Sequence, residues 1–245
     1  MELIKLLQSN HFAKVKHLLG PQSQFHIDEK TQTIKLNSVM ADWTTPWIMH
    51  TTKSLGMNCT KWHQILFPCF DVLPKECMEC FKVVVRPENV VELIKLKKIQ
   101  DGLPKDIQCK CGTESQRSNI EAAYGGYFYS RGIEAGLDML DIVKIMLKDK
   151  VKGDIFLKRA CTEYEQRFGP SNTWDYNPKE AEYSKWIDDS FHQNCWEKPL
   201  LPEMARKDIV SRWLYYAASI GDLSYLEETN GRHLHEVPIK YERIK

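Results

Sequence analysis

A short run of β-branched or aromatic residues, followed by an arginine and then by a helical pattern, occurs three times in this chain. The runs are residues 81–85, 124–129 and 154–157, and the arginines that follow them are Arg86, Arg131 and Arg159. A helix between two strands is long enough to serve as a crossover connection, which joins parallel strands. The repeat therefore predicts an α/β fold with a small mixed or mostly parallel sheet, or a ferredoxin-like α+β fold.

The flanking segments have weaker but readable patterns. Apolar residues at helical spacing predict a leading helix over residues 2–19, and polar–apolar alternation predicts a hairpin from 24–28 and 33–37. We also expect a helix near residues 46–55. These patterns divide the chain into a helix and hairpin region (1–65), an α/β core with a cysteine metal site (66–170) and a helical C-terminal section (171–245), or join it into one continuous domain.

Composition limits the classes of partner and compartment. The chain has 245 residues, enough to bury a core without disulfide bonds. Its 34 basic and 33 acidic residues leave a net charge of +1, so no global field would attract nucleic acid or an anionic membrane. The start resembles no signal peptide, and no apolar run approaches the roughly 18 residues of a membrane span. We therefore expect a cytoplasmic protein without a membrane partner.

The cysteines provide the most specific motif. Cys77 and Cys80 form a Cys-x2-Cys pair, and Cys109 and Cys111 form a Cys-x-Cys pair that we expect in a turn. Two tight turns that each present two thiolates suit the tetrahedral coordination of zinc. The sequence therefore predicts a four-thiolate zinc site with a structural role.

Other thiol chemistry stays open at this point. An iron–sulfur cluster also takes four cysteines, and a Cys-x2-Cys pair near a βαβ pattern also suits a redox dithiol. Cys69 and Cys161 are two further thiols that could join the metal site.

The repeated arginines predict a binding site for an anion. Ligands of open α/β sheets lie outside the carboxyl ends of the strands, so parallel neighbours would bring Arg86, Arg131 and Arg159 together. The planar guanidinium fork suits a phosphate or a carboxylate. Beyond the third strand, Cys161, Glu163 and Glu165 are the candidates for catalytic chemistry.

These observations favour a zinc–thiolate protein that binds an anionic small molecule or phosphate group at the strand-end arginines. One alternative is an enzyme that acts on a phosphorylated or carboxylated metabolite, and another is an iron–sulfur protein. A third alternative is a nucleic-acid adaptor that contacts phosphates through lysines near the cysteine site. Those lysines are Lys95, Lys97, Lys98 and Lys110.

Overall fold

The structure, a computed structural model, describes residues 2–19, 25–36, 44–50, 62–73, 75–175, 178–190 and 201–235. Seven strands lie in these ranges: β1 (Phe25–Asp28), β2 (Thr33–Leu36), β3 (Trp47–Met49), β4 (Cys80–Pro87), β5 (Cys109–Thr113), β6 (Tyr124–Arg131) and β7 (Gly153–Arg159). The α-helices there are α1 (Glu2–Leu18), α2 (Phe67–Phe70), α3 (Lys75–Met78), α4 (Val90–Asp101), α5 (Ile133–Leu147), α6 (Thr162–Phe168), α7 (Pro178–Ser190), α8 (Glu203–Ser219) and α9 (Tyr225–Glu228). A π-helix (Trp62–Leu66) precedes α2, and a 3-10 turn (Ser171–Thr173) follows α6.

The centre of the fold is a five-stranded sheet with the order β3-β5-β6-β4-β7. Every neighbouring pair in it is antiparallel. The predicted mixture of helices and strands is confirmed, but the predicted mostly parallel sheet is wrong. The connections β4-α4-β5 and β6-α5-β7 do join parallel strands, as crossovers must. The two units interleave, however, so that β6 separates β4 from β5 and β4 separates β6 from β7.

This interleaving gives the element order β4-α4-β5-β6-α5-β7 and the strand order β5-β6-β4-β7. A split βαβ arrangement of this kind corresponds to the ferredoxin-like alternative. The short strand β3 extends the sheet beyond β5, where Trp47 lies opposite Gly112. Residues 47–49 are therefore a strand instead of part of the predicted helix, and residues 51–55 lie outside the described ranges.

The sheet has one apolar and one polar face, because successive side chains of a strand point to opposite sides. We define the apolar sheet face by side chains that belong to one buried cluster with residues of α4, α5 and α8: Val83, Val85, Cys109, Cys111 and Phe128. We define the polar sheet face by the side chains that alternate with them: Lys82, Arg86, Lys110, Tyr127 and Lys158. The two faces therefore differ in chemistry although the same strands supply both.

Two adjacent glycines in β6 admit a different neighbour on each face. A Cβ atom on Gly126 would lie 2.3 Å from Cδ2 of Leu96, so this glycine lets α4 approach the apolar sheet face. A Cβ atom on Gly125 would lie 2.6 Å from Oε1 of Glu114 and 2.9 Å from Nη1 of Arg86. Gly125 therefore makes room for polar side chains lying flat on the other face.

A second buried cluster lies outside the sheet core. It joins α1, the β1–β2 hairpin, the π-helix and α7 around Val15, Phe25, Ile65, Tyr164 and Ile187. The leading helix and the hairpin were both predicted and are confirmed by α1 and by the antiparallel β1–β2 pair. The C-terminal section is helical as predicted in α7, α8 and α9, whereas the three segment boundaries stay a prediction. In the described ranges, no helix has the length and apolarity needed to cross a membrane.

Candidate functional site

Cys161 lies at the junction between β7 and α6. Strand β7 ends at Arg159, Ala160 has a left-handed backbone (φ 53°), and Cys161 is the N-cap residue of α6. A left-handed conformation is uncommon for a residue with a side chain, and such positions concentrate at functional sites. Cys161 is half-buried at the edge of the polar sheet face.

Lys82 projects from the middle of β4 and contacts this thiol. Its Nζ atom donates to Sγ of Cys161 over 3.6 Å and lies 5.4 Å from the ring centre of Tyr127. Only 4% of the lysine is exposed. Because a buried ammonium is costly unless a negative group compensates it, the arrangement favours Cys161 as a thiolate.

His63 completes the surroundings of the thiol from the π-helix. Burial raises the pKa of Cys161, but the charge of Lys82 and a hydrogen bond from His63 outweigh that effect and lower the pKa to about 6. The His63 ring also packs against Tyr164 of α6, with 4.9 Å between ring centres. A lowered pKa, a nearby cation and partial exposure are the properties of reactive cysteines.

A buried ion pair occupies the polar sheet face beside Lys82. Nη1 of Arg86 donates to Oε1 of Glu114 over 2.6 Å and to the Tyr127 hydroxyl over 3.1 Å, and that hydroxyl donates to the same carboxylate. Only 1% of the Glu114 side chain is exposed. Burial and the charge of Glu114 raise the pKa of Tyr127, so this phenol stays a hydrogen-bond donor.

Arg117 connects that ion pair to the start of α6. Its Nη2 atom donates to Oε1 of Glu163 over 3.0 Å, and its Nη1 atom lies 3.6 Å from Oε2 of Glu114. Burial raises the pKa of Glu163, but the charge of Arg117 and smaller contributions from other neighbours together outweigh burial and lower it. The remaining oxygens, Oε2 of Glu114 and Oε2 of Glu163, are buried and have no hydrogen-bond partner among the described residues. A buried acceptor without a donor costs about 1–3 kcal/mol.

Of the three predicted catalytic candidates, Cys161 and Glu163 therefore lie in this cluster. Glu165 faces Lys158 of β7 in an ion pair and accepts a hydrogen bond from the Ser171 backbone over 3.3 Å. Lys158 lies opposite Lys82 in the register of β4 and β7. Glu165 therefore balances charge at the rim of the cluster.

The four cysteines predicted as a metal site lie apart. Cys109 and Cys111 belong to the sheet core, whereas Cys77 belongs to the second cluster. Cys80 lies opposite Arg131 and Cys109 opposite Phe128, which corresponds to about 14 Å from strand spacing and rise. Thiolates that share a zinc ion lie about 4 Å apart, because each sulfur is about 2.3 Å from the metal.

The predicted four-cysteine metal loop is therefore wrong. The Cys-x-Cys segment is strand β5 instead of a turn, so both thiols point into the apolar core. Burial raises the pKa of Cys109 to about 12 and also raises that of Cys111. Within the ranges that the structure describes, no cluster of three or more His, Cys, Asp or Glu side chains is arranged to hold a metal ion. The zinc and iron–sulfur cofactors themselves stay predictions.

Cys69 and Cys161 both pack against the second cluster, but their thiols differ. Burial raises the pKa of Cys69 to about 11, whereas that of Cys161 is lowered.

The three strand-end arginines do not converge either. Arg131 and Arg159 lie at one end of the sheet, opposite Cys80 and Phe81, and Arg86 lies five or more residues further along β4. Five residues of strand span about 17 Å. Arg159 also donates to the backbone oxygens of Met78 and Ser171, both over 2.7 Å. The shared anion site required parallel strands, and the antiparallel sheet separates its members.

The lysines of the predicted nucleic-acid adaptor are divided as well. Lys95, Lys97 and Lys98 belong to α4, which packs on the apolar sheet face, whereas Lys110 lies on the polar sheet face. Lys95 pairs with Glu92 at 2.7 Å and Lys97 with Asp101 at 2.6 Å. The four lysines therefore do not form one basic patch.

Sequence reasoning missed Lys82, His63, Glu114 and Arg117. Lys82 carries a usable signal, because it stands between Phe81 and three valines. A lysine that is buried in a central strand needs a negative partner for its charge. His63, Glu114 and Arg117 have no diagnostic spacing, because residues distant in the chain come together only through the fold.

No protein-family model, no curated protein and no solved structure matches this chain.

Proposed function

We propose that this protein is an enzyme in which the Cys161 thiolate is the nucleophile of an acyl-transfer or hydrolysis reaction. The observation that carries the proposal is the contact of 3.6 Å between the buried Lys82 ammonium and Sγ of Cys161. A permanent positive charge beside the sulfur keeps the nucleophile ionised at neutral pH. This proposal retains the enzyme alternative predicted from the sequence and its catalytic candidate Cys161, without the substrate clamp of three arginines.

The neighbouring groups suit the two halves of such a reaction. Sγ of Cys161 attacks the acyl carbon and forms a C–S bond, and the bond to the leaving group breaks as that group takes a proton from His63. Water then attacks the thioester, returns a proton to His63 and releases the Cys161 thiolate. Lys82 and Arg117 supply positive charge for the oxyanion that develops in each half.

The test is covalent capture by an activated ester. Incubation of the full chain with p-nitrophenyl acetate should place one acetyl group on Cys161 in a rapid burst, seen by intact-mass and peptide mass spectrometry. Cys161→Ala should lose the burst. Cys69→Ala is the matched control, since Cys69 is also partly buried but has its pKa raised to about 11, and it should keep the burst. Acetylation that is equally fast in Cys161→Ala would contradict the proposal.

A second candidate is nucleic-acid binding on the polar sheet face. Nζ of Lys110 lies 4.4 Å from the Trp47 ring centre, which places a partly exposed aromatic ring beside a cation on an antiparallel sheet. RNA-binding sheets combine these two groups to stack bases and contact phosphates. This candidate predicts steeply salt-dependent binding of a generic single-stranded oligonucleotide, lost in Trp47→Ala. Absence of binding at low salt would exclude it.

A further inference from the structure

Two carboxylates that face Arg117 each have one oxygen without a hydrogen bond. Glu114 directs Oε1 to Arg86 and Tyr127, and Glu163 directs Oε1 to Arg117, so that both Oε2 atoms remain buried without a hydrogen-bond donor among the described residues. The distance of 3.6 Å from Oε2 of Glu114 to Arg117 is an ion-pair distance that is too long for a hydrogen bond. A ligand that supplies N–H or O–H donors would satisfy both acceptors.

These acceptors belong to the same cluster as the thiol. Arg117 contacts both carboxylates and interacts electrostatically with Cys161, and Glu163 is only two residues from Cys161 at the start of α6. An open cavity of about 470 Å³ begins at Glu114 and Arg117 and continues along the β5–β6 loop to Tyr216. Glu114 and Arg117 line this cavity and Glu163 and Cys161 do not, so it gives the remainder of a substrate a place beside Glu114.

The charges of the cluster argue against an anionic reacting group. Four cations of the cluster face a negative partner: Arg86 with Glu114, Arg117 with Glu163, Lys158 with Glu165, and Lys82 with Cys161. A phosphate or carboxylate would be repelled by these carboxylate oxygens, and none of the four pairs offers it an unpaired cation. An ester is neutral, but it has no hydrogen-bond donor for the two acceptors. A carboxamide is neutral and carries N–H donors on the atom next to the electrophilic carbon.

We propose that the substrate of Cys161 is a primary carboxamide whose amide nitrogen donates its two hydrogens to Glu163 and Glu114. The assignment rests on the proposed nucleophilic function of Cys161. Sγ bonds to the carbonyl carbon, the C–N bond breaks, and ammonia leaves with the proton from His63. Water then hydrolyses the thioester, so that amide and water become carboxylic acid and ammonia.

The test compares benzamide with methyl benzoate on the full chain, with release of ammonia or methanol and benzoylation of Cys161 as readouts. Glu163→Gln should lower the amide-to-ester ratio of kcat/KM about tenfold or more, because Arg117 holds the new amide oxygen and leaves its NH2 group facing the substrate. Glu114→Gln should act in the same direction. Glu165→Gln is the matched control on the same helix and should leave the ratio unchanged.

The outcomes separate the two proposals. An amide preference that falls in Glu163→Gln supports the carboxamide assignment. Turnover of both compounds with an unchanged ratio in Glu163→Gln overturns that assignment and leaves Cys161 as the nucleophile. Failure of both compounds and of p-nitrophenyl acetate to acylate Cys161 overturns both. The ratio is the informative quantity, because a change in the ionisation of Cys161 affects both reactions equally.

Discussion

The two faces of one sheet treat the same functional group in opposite ways. On the apolar sheet face, burial raises the pKa of Cys109 to about 12 and keeps the thiol protonated. At the edge of the polar sheet face, Lys82 and His63 overcome burial and lower the pKa of Cys161 to about 6. Burial alone therefore does not set the pKa of a thiol in this protein. The neighbouring charges decide whether that pKa lies above or below the value of a free cysteine.

The largest expected effect on thiol reactivity comes from removing the charge that creates the contrast. In Lys82→Met, the charge that opposes burial is gone, so the pKa of Cys161 should rise to that of a free cysteine or above, a change in proton affinity of about a hundredfold or more. The pH dependence of iodoacetamide alkylation, resolved by peptide mass spectrometry, measures this shift. Lys95→Met removes a charge from α4, on the other side of the sheet, and should leave the midpoint in place. A midpoint unchanged in Lys82→Met would refute the assigned role of this lysine.

Alanine substitution of the two adjacent glycines of β6 should destabilise the fold by different amounts, because each glycine faces a different side of the sheet. Gly125→Ala places a Cβ atom 2.6 Å from Oε1 of Glu114 and must displace the ion pair with Arg86. Breaking a buried pair costs about 3–5 kcal/mol. Gly126→Ala places a Cβ atom 2.3 Å from Cδ2 of the buried Leu96, and overpacking of that kind costs about 1–3 kcal/mol. Urea unfolding should therefore show a larger loss of unfolding free energy for Gly125→Ala. Equal losses in the two variants would contradict the burial of the Arg86–Glu114 pair against Gly125.

The two thiols should also give opposite pH dependences of stability. Between about pH 6 and about pH 8.5 the folded chain has released the Cys161 proton and the unfolded chain still binds it. The contribution of Cys161 to the free energy of unfolding therefore grows with pH in this window and is lost toward pH 6. Above about pH 8.5 the unfolded chain releases the Cys109 proton first, so that contribution falls as pH rises. The unfolding free energy of each variant, Cys161→Ala or Cys109→Ala, is subtracted from that of wild type at each pH. The difference for Cys161→Ala should rise between about pH 6 and about pH 8.5, and the difference for Cys109→Ala should fall above about pH 8.5. A flat difference for Cys161→Ala would contradict a lowered pKa.

The smallest effect should come from replacing a core thiol. Cys111 is fully buried among apolar side chains, so Cys111→Val should cost less than about 1.5 kcal/mol in urea unfolding. A thiolate that held a structural metal would give a far larger loss, because metal binding and folding are coupled. Loss of the folded state in Cys111→Val would revive the metal prediction.

Local patterns predicted the elements better than their arrangement. The helix of residues 2–18, the hairpin and the three strands of the repeat follow from hydrophobic periodicity, which short-range packing enforces. The antiparallel sheet did not follow, because interleaving of two crossover units depends on pairing between distant strands. That single difference separated Arg86 from Arg131 and Arg159.

The candidate site was predictable only in part. Cys161 and Glu163 were recognised from their position after a strand, and the structure places both beside Arg117 and Lys82. The Cys-x-Cys motif misled because spacing of two residues also fits a strand, where it sends both thiols to one buried face. His63 comes from a segment 98 residues earlier in the chain than Cys161, a juxtaposition that no local pattern encodes.

The most direct measurement is the pH profile of Cys161 alkylation by iodoacetamide in the wild-type chain, with each cysteine quantified by peptide mass spectrometry. At pH 6 about half of Cys161 should be thiolate, whereas a free cysteine with a pKa of about 8.5 would be less than about 1% ionised. The account predicts a midpoint near pH 6 for Cys161 and negligible labelling of Cys109 and Cys111 in the folded protein. A Cys161 midpoint near that of free cysteine would contradict the central claim.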